Sequence, residues 1–227
     1  MKVLVFVGTV GSGKTTHIRL LSRKLGKIKN RVSHLGVGCL FTRLFEEFLA
    51  NLLLKDRKLC PRRALREYNP YLFRKLFRFW LTLDVFSIYV KFLLRVYLPA
   101  KVGYLIIVEE YIPSIISNYI YLSKALGLPL KNISFAINHM LRLLHITSPI
   151  KTIFLDADNE VLQKRWVQRR SLYERLDYIE MQRSLLLSIS KMLSHSFLYI
   201  DTTDKSVEET HNQVLHYTLD WLTKVAR

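Results

Sequence analysis

The chain has 227 residues, with 35 Lys and Arg against 18 Asp and Glu, a formal net charge of +17; half of its residues are hydrophobic. That apolar content excludes general disorder, and eight Gly with six Pro exclude collagen-like and linker-like chains. Two cysteines, Cys39 and Cys60, are too few for a disulfide framework or a cysteine-rich metal site and read as small buried residues.

Val3 to Val7 is an unbroken apolar run ending at Gly8, the signature of a strand buried on both faces. It begins so early that no room is left for a signal peptide, and a cytoplasmic protein is expected. His17 to Leu25 has helical spacing, and Asn30 to Leu35 is a weak strand candidate before Gly36-Val37-Gly38. Leu40 to Leu54 reads as helix, Pro61 can open a short one, and Pro70 opens a long one running to Pro99. Within it, Phe79 to Leu98 is apolar, but Asp84, Ser87, Lys91 and Arg95 form one polar stripe, which suits a packed helix better than a membrane span.

Tyr104 to Val108 is a second buried strand. Ser114–Leu126 and Leu130–Ile146 follow as helices, Lys151–Leu155 as a strand, Asn159–Arg170 and Leu176–Leu193 as helices. Phe197–Ile200 is the last strand, and Ser206 to Val225 a closing helix with Ser206 and Glu209 spaced as a capping box. Strands alternating with helices predict a three-layer α/β fold: a parallel sheet of about five strands with helices on both faces. Core strands are expected near 2–7, 31–35, 104–109, 151–155 and 197–201, in one domain spanning 1–227 with no internal repeat.

Gly8-Thr9-Val10-Gly11-Ser12-Gly13-Lys14-Thr15 matches GxxxxGK[ST] in full. The glycines let backbone N–H groups converge on phosphates, and the helix that follows adds positive potential. Lys14 can reach the β- and γ-phosphates, and the Thr15 hydroxyl can ligate Mg²⁺. A buried strand before the first glycine and a helical pattern after Lys14 supply the context that such a loop needs. Thr16 continues it. The chain is therefore expected to bind a nucleoside triphosphate.

Glu109 and Glu110 stand at the carboxyl end of a strand, the edge at which open α/β sheets bind ligands. Glu109 is the better candidate to hold Mg²⁺ or accept a proton. Arg165, Arg169, Arg170 and Arg175 cluster between two helices and suit the neutralisation of charge in phosphoryl transfer. From Lys55 to Arg78 nine cations oppose two acids, with aromatics interleaved among the later ones. That stretch reads first as a basic exterior over an aromatic core stripe, with a nucleic-acid or anionic membrane surface as the alternative. No histidine spacing suggests a metal centre or a catalytic triad, and His139 and His145 read as surface or core residues.

In order of parts, the chain resembles the thymidylate kinase-like branch of P-loop nucleoside monophosphate kinases over nearly its whole length. GTVGSGKTT at 8–16 is similar to the family's opening, and RVYLPAKVGYLIIVEEYIPS at 95–114 to its RPALKKGxIVISDRYxxS passage. GLPLKNISFAINHM and SPIKTIFLDADNEVLQKRWVQRR follow the family's later pattern, and SLYERLDYIEMQRSLL resembles its lid and the next helix, placing a short lid near 168–177. YIDTTDKSVEETH resembles its closing strand and helix.

The resemblance implies an ATP- and Mg²⁺-dependent phosphotransferase in which Lys14, Arg169, Arg170 and Arg175 act on the phosphoryl group in flight. Adenine would lie between Arg165 and the loop at Thr202–Lys205, which includes Thr203 and Asp204. The acceptor would be a nucleotide or another small molecule, and a homodimer is possible. Three departures fall on the acceptor side. Glu109-Glu110-Tyr111 replaces Asp-Arg-Tyr, His34-Leu35-Gly36 stands where the family has Arg-Glu-Pro, and Val85 stands where an arginine is expected. Weak or absent thymidylate kinase activity is therefore expected. A nucleic-acid-associated P-loop ATPase or polynucleotide kinase, favoured by the charge, and a degenerate kinase that only binds ATP remain as alternatives.

Overall fold

The structure, a computed structural model, describes residues 1–26, 28–53, 68–168 and 176–226. Strands β1 (Val3–Gly8), β2 (Asn30–His34), β3 (Leu105–Glu109), β4 (Ile150–Asp156) and β5 (Ser196–Asp201) form one sheet in the order β2-β3-β1-β4-β5. Every neighbouring pair is parallel. The expected three-layer parallel fold is the observed one, with strand ends shifted by a residue or two.

Burial explains which strands were plain in the sequence. β1 is buried at every residue, and β3 and β4 nearly so, because they occupy the middle of the sheet. β2 lies on an edge with Arg31, Val32 and His34 exposed, so its sequence carries little apolar signal.

Helices α1 (Lys14–Lys24) and the last helix, α9 (Val207–Ala226), cover one face, where Ile18, Leu21 and Leu25 meet Leu4, Phe6, Val214 and Trp221. The other face receives α2 (Phe41–Leu53), α3 (Pro70–Phe92), α5 (Ile112–Ala125), α6 (Ser134–Thr147) and α8 (Leu176–Leu193). Its core includes Val3, Val5, Trp80, Ile88, Val108, Tyr119 and Met140. Helix α7 (Asn159–Gln168) instead crosses beside the turn after β1.

The long helix departs from expectation at its end. It does not stop at Pro99 but passes through a π-helical turn, Leu93–Tyr97, into a short α4, Leu98–Lys101. Proline in a helix clashes with the carbonyl four residues earlier and cannot donate to it. The wider turn, in which the Leu98 amide bonds to the Leu93 carbonyl, accommodates the ring at Pro99.

The polar stripe of α3 also faces inward. Asp84, Ser87 and Lys91 are buried, while Phe79 and Phe86 on the same helix are exposed. No helix among the described residues is long and apolar enough to cross a membrane. Cys39 is only partly buried at the rim of the core, unlike the fully packed residue expected, whereas Cys60 and the helix expected at Pro61 lie outside the described residues. Ser206 and Glu209 form the capping box, with the Glu209 carboxylate accepting from the Ser206 amide at 2.8 Å and the Ser206 hydroxyl accepting from the Glu209 amide at 3.1 Å.

Candidate active site

The turn from β1 into α1 is held in a shape that only its glycines allow. Gly8 has φ 146°, and a Cβ there would lie 1.9 Å from the Leu155 carbonyl oxygen. Gly11 has φ 91°, and its Cβ would meet the Trp166 indole nitrogen at 2.7 Å. Side chains are thus excluded by a strand on one side and a helix on the other.

Buried Ser12 tightens the turn, donating from its hydroxyl to the Thr9 carbonyl at 2.9 Å. Trp166 on α7 donates its indole N–H to the Val10 carbonyl at 2.9 Å, and Arg165 reaches the Gly11 carbonyl at 3.4 Å. Thr9 donates from its hydroxyl to Asp156 at the end of β4. Arg183 of α8 braces the same carboxylate at 2.9 Å, so the phosphate-loop sequence is clamped from both sides.

Lys14, nearly buried, points back over the loop and donates to the carbonyls of Gly8 and Thr9 at 2.9 and 2.8 Å. Its ammonium is therefore held directly above the loop. Thr15 and Glu109 come from residues 94 apart in sequence, yet the threonine hydroxyl donates to the Glu109 carboxylate at 2.8 Å. A hydroxyl and a carboxylate side by side at the carboxyl edge of the sheet are the hard oxygen donors that Mg²⁺ prefers.

Glu110 does something else. Its backbone is in the left-handed region, φ 54°, its carbonyl accepts from the Leu35 amide at 3.2 Å, and its carboxylate lies 3.7 Å from His34. The two neighbouring acids are thereby separated, one turned to the loop and one to the edge strand β2.

Beyond the loop, a cavity of about 190 Å³ opens against the start of α1 and is lined by Gly13, Thr16, His17, Arg165, Thr202, Lys205 and Thr210, among others. Arg165 is fixed across it by bonds to the hydroxyl and carbonyl of Thr202 at 3.0 and 2.9 Å. Of the loop Thr202–Lys205 expected here, Thr202 and Lys205 line the space, and Thr203 braces the loop, its hydroxyl donating to Asp201 and accepting from the Asp158 amide. Gly11, Ser12 and Thr16 also line it.

His17, not singled out in the sequence, forms one wall. Only 3% exposed, it stacks on His211 with ring centroids 6.2 Å apart. Burial, then the neighbouring His211 and Arg165, push its pKa down to about 4, so the ring is neutral at ordinary pH. Its Nδ1 has no hydrogen-bond partner among the described residues.

Three expected participants, Arg169, Arg170 and Arg175, together with most of the expected lid, lie outside the described residues. So does most of the basic Lys55–Arg78 stretch. In its described part and just after it, Phe73, Phe77 and Trp80 are buried while Arg74, Lys75 and Arg78 face solvent, but Tyr68 and Tyr71 are exposed, so only the later aromatics belong to the core. His139 accepts or donates a bond with the Tyr89 hydroxyl at 3.0 Å, and the described residues hold no cluster of three or more His, Cys, Asp or Glu suited to a metal. Sequence reasoning also passed over Trp166 and Arg183. Leu162 and Trp166, one turn apart and both buried, carried a readable signal; Arg183 had none, because its partner is 27 residues away.

No family profile matches the chain. The chain is 33% identical over 69 residues to a protein described as a probable thymidylate kinase from Methanocaldococcus jannaschii, a match over 30% of this chain and about a third, 35%, of the relative's length. Among solved structures, the thymidylate kinase of Ehrlichia chaffeensis superposes with a TM-score of 0.55 at 19% identity, covering 96% of this chain and 98% of that one. The thymidylate kinase of Candida albicans gives 0.55 at 18% identity, over 98% and 92%. The fold is that of thymidylate kinases from end to end, as the sequence resemblance implied.

Proposed function

We propose that the protein is a P-loop phosphotransferase of the nucleoside monophosphate kinase type, moving the γ-phosphoryl group of ATP to a nucleotide acceptor. The observation that supports it best is the bond between Thr15 and Glu109, which joins the loop to the neighbouring strand in the oxygen pair that a Mg²⁺–triphosphate needs. The thymidylate kinase fold and the partial likeness to a probable thymidylate kinase favour it over a nucleic-acid-directed ATPase.

The residues fit the donor. Loop amides and Lys14 would hold the β- and γ-phosphates, with Lys14 giving up its two loop carbonyls for phosphate oxygens. Thr15 and Glu109 would hold Mg²⁺, which when bound neutralises charge on the phosphates. The base would enter the cavity between Arg165 and Thr202–Lys205, the guanidinium plane providing a stacking surface. The transferred group would then face the acceptor across Glu109. Arg169, Arg170 and Arg175 are proposed to stabilise the charge in flight.

The test is an ADP-release assay across the nucleoside monophosphates, with single-stranded oligonucleotides as a separate arm. Mg²⁺-dependent turnover with at least one monophosphate, and none stimulated by oligonucleotide, is expected. Stimulation by oligonucleotide alone would transfer the reading to a polynucleotide kinase.

A further inference from the structure

The acceptor side lacks the cations that the sequence resemblance led one to look for: Glu110, His34 and Val85 stand in their places. A different cation lies nearby. Lys91, on the inward stripe of α3, is 9% exposed. It makes no hydrogen bond or ion pair with any described residue, although Cys39, Arg95, Glu110 and Asp84 are all within electrostatic range. The two acids have other engagements. Asp84 accepts from the Gly38 amide at 2.8 Å and from the Tyr119 hydroxyl at 2.8 Å, and Glu110 faces His34.

Lys91 is largely buried and its ammonium has no partner among the described residues; burial lowers its pKa, and an anion arriving beside it would offset that cost. Position identifies the anion. Asp84 and Ser87 bind the chain at Gly38 and Thr42, so the loop after β2 lies along this stripe. Side chains on a helix slant toward its N-terminus. Lys91 therefore rises from its turn toward Cys39 and Glu110, at the carboxyl edge where β2 and β3 end. Arg95, exposed one turn on, adds charge to the same place. Both backbone outliers among non-glycine described residues, Leu40 with φ 47° and Glu110 with φ 54°, flank it.

We propose that Lys91, supported by Arg95, holds the monophosphate group of the acceptor nucleotide, in place of the absent arginines. This rests on the phosphotransferase reading above and names the group that its acceptor site grips. Glu110 then stands beside the anion, and its carboxylate weakens binding rather than helping it.

The full-length protein, saturated with Mg²⁺ and a non-hydrolysable ATP analogue, would be titrated calorimetrically with each of the four 2′-deoxynucleoside monophosphates and with the matching nucleosides. At least one monophosphate should bind ten or more times as tightly as its nucleoside. Lys91→Met should reduce that monophosphate affinity by about 30-fold, the worth of a charge-assisted bond, and leave nucleoside and ATP-analogue affinities unchanged. Lys91→Arg should restore most of it, and Glu110→Gln should tighten monophosphate binding about threefold or more. Thermal melting of Lys91→Met should not fall, since it replaces a charge that has no partner among the described residues at a largely buried position; a purely structural lysine would predict a fall. Monophosphate affinity within threefold of wild type in Lys91→Met would overturn the proposal, as would wild-type protein that binds the ATP analogue but no monophosphate. Should Lys91→Met not fold, unchanged or weakened binding in Glu110→Gln would overturn it as well. Failure of the ATP analogue itself to bind would count against the phosphotransferase reading instead.

Discussion

The proposed donor half of the site has a nucleus, Gly8 to Thr15, eight consecutive residues on one strand-to-helix turn, around which residues such as Glu109, Asp156, Arg165 and Trp166 are gathered from elsewhere. The proposed acceptor half has no such nucleus. It draws on His34 at the end of β2, Gly38 after it, Asp84 and Lys91 on α3, and Glu110 after β3, from three separate parts of the chain. A local loop keeps its chemistry as long as its own glycines and lysine persist. A dispersed site can exchange one cation for another on a different turn without disturbing the sheet, which is what the role proposed for Lys91 supposes.

The sharpest way to break this comparison is at its local end. Lys14→Ala removes the ammonium held over the loop, and turnover should fall by at least about 100-fold, as when a single electrostatic stabiliser is removed from a transition state. Thermal melting should hardly move. Turnover near wild type would mean the loop is not the phosphate cradle.

At the dispersed end, Asp84→Asn keeps the shape of the residue that ties Gly38 to Tyr119 but removes its charge. The expected cost is about 1.5–3 kcal/mol of stability, typical of hydrogen bonds to a charged group, visible in urea midpoints. Acceptor KM should rise while ATP KM stays put. Equal shifts in both KM values would show that the halves are not separable.

Acid pH should act on the donor half. His17 is held near pKa 4 in the folded protein, below its ordinary 6.5, so the unfolded chain takes up the proton first as pH falls. Stability is complete above about pH 6.5 and declines as pH drops toward 4, by about 2 kcal/mol at pH 5 from this residue. Urea midpoints at pH 7.5 and 5 should show a smaller loss in His17→Gln than in wild type. The same loss in both would place the acid sensitivity elsewhere.

The two neighbouring acids give the mildest comparison. Glu109→Gln should weaken Mg²⁺-dependent turnover by about tenfold, through the loss of a carboxylate from the metal's oxygen set. Glu110→Gln, turned toward His34, should leave the apparent Mg²⁺ affinity unchanged. Matching Mg²⁺ titrations for the two variants would mean that their separation by the left-handed turn at Glu110 has no chemical consequence.

The parts legible in the sequence are those whose signal is short-range. β1, β3 and β4 announced themselves because central parallel strands are apolar throughout, and the phosphate loop because its residues are contiguous. β2 was faint, since an edge strand with Arg31, Val32 and His34 in solvent has no reason to be apolar. The end of the long helix was misplaced because proline usually ends a helix, and nothing local signals the π-helical turn that accommodates Pro99. Arg183 and the His17–His211 stack depend on pairings across 27 and 194 residues and leave no local trace. Lys91 was visible as part of a polar stripe, but periodicity alone does not say whether a stripe faces water or the interior. That was decided by the loop after β2 folding onto it.

Trp166 gives the molecule an optical property. Of three tryptophans, it alone has its indole N–H on the phosphate loop, at the Val10 carbonyl, while Trp80 bonds to Glu46 in the core. Indole emission depends on the polarity and hydrogen bonding around the ring, so a rearrangement of the loop backbone that alters this bond should change its colour and yield. The loop therefore carries its own fluorophore. Binding of the proposed nucleotide should be readable by ultraviolet excitation of the unlabelled chain, with Trp166→Phe as the dark reference.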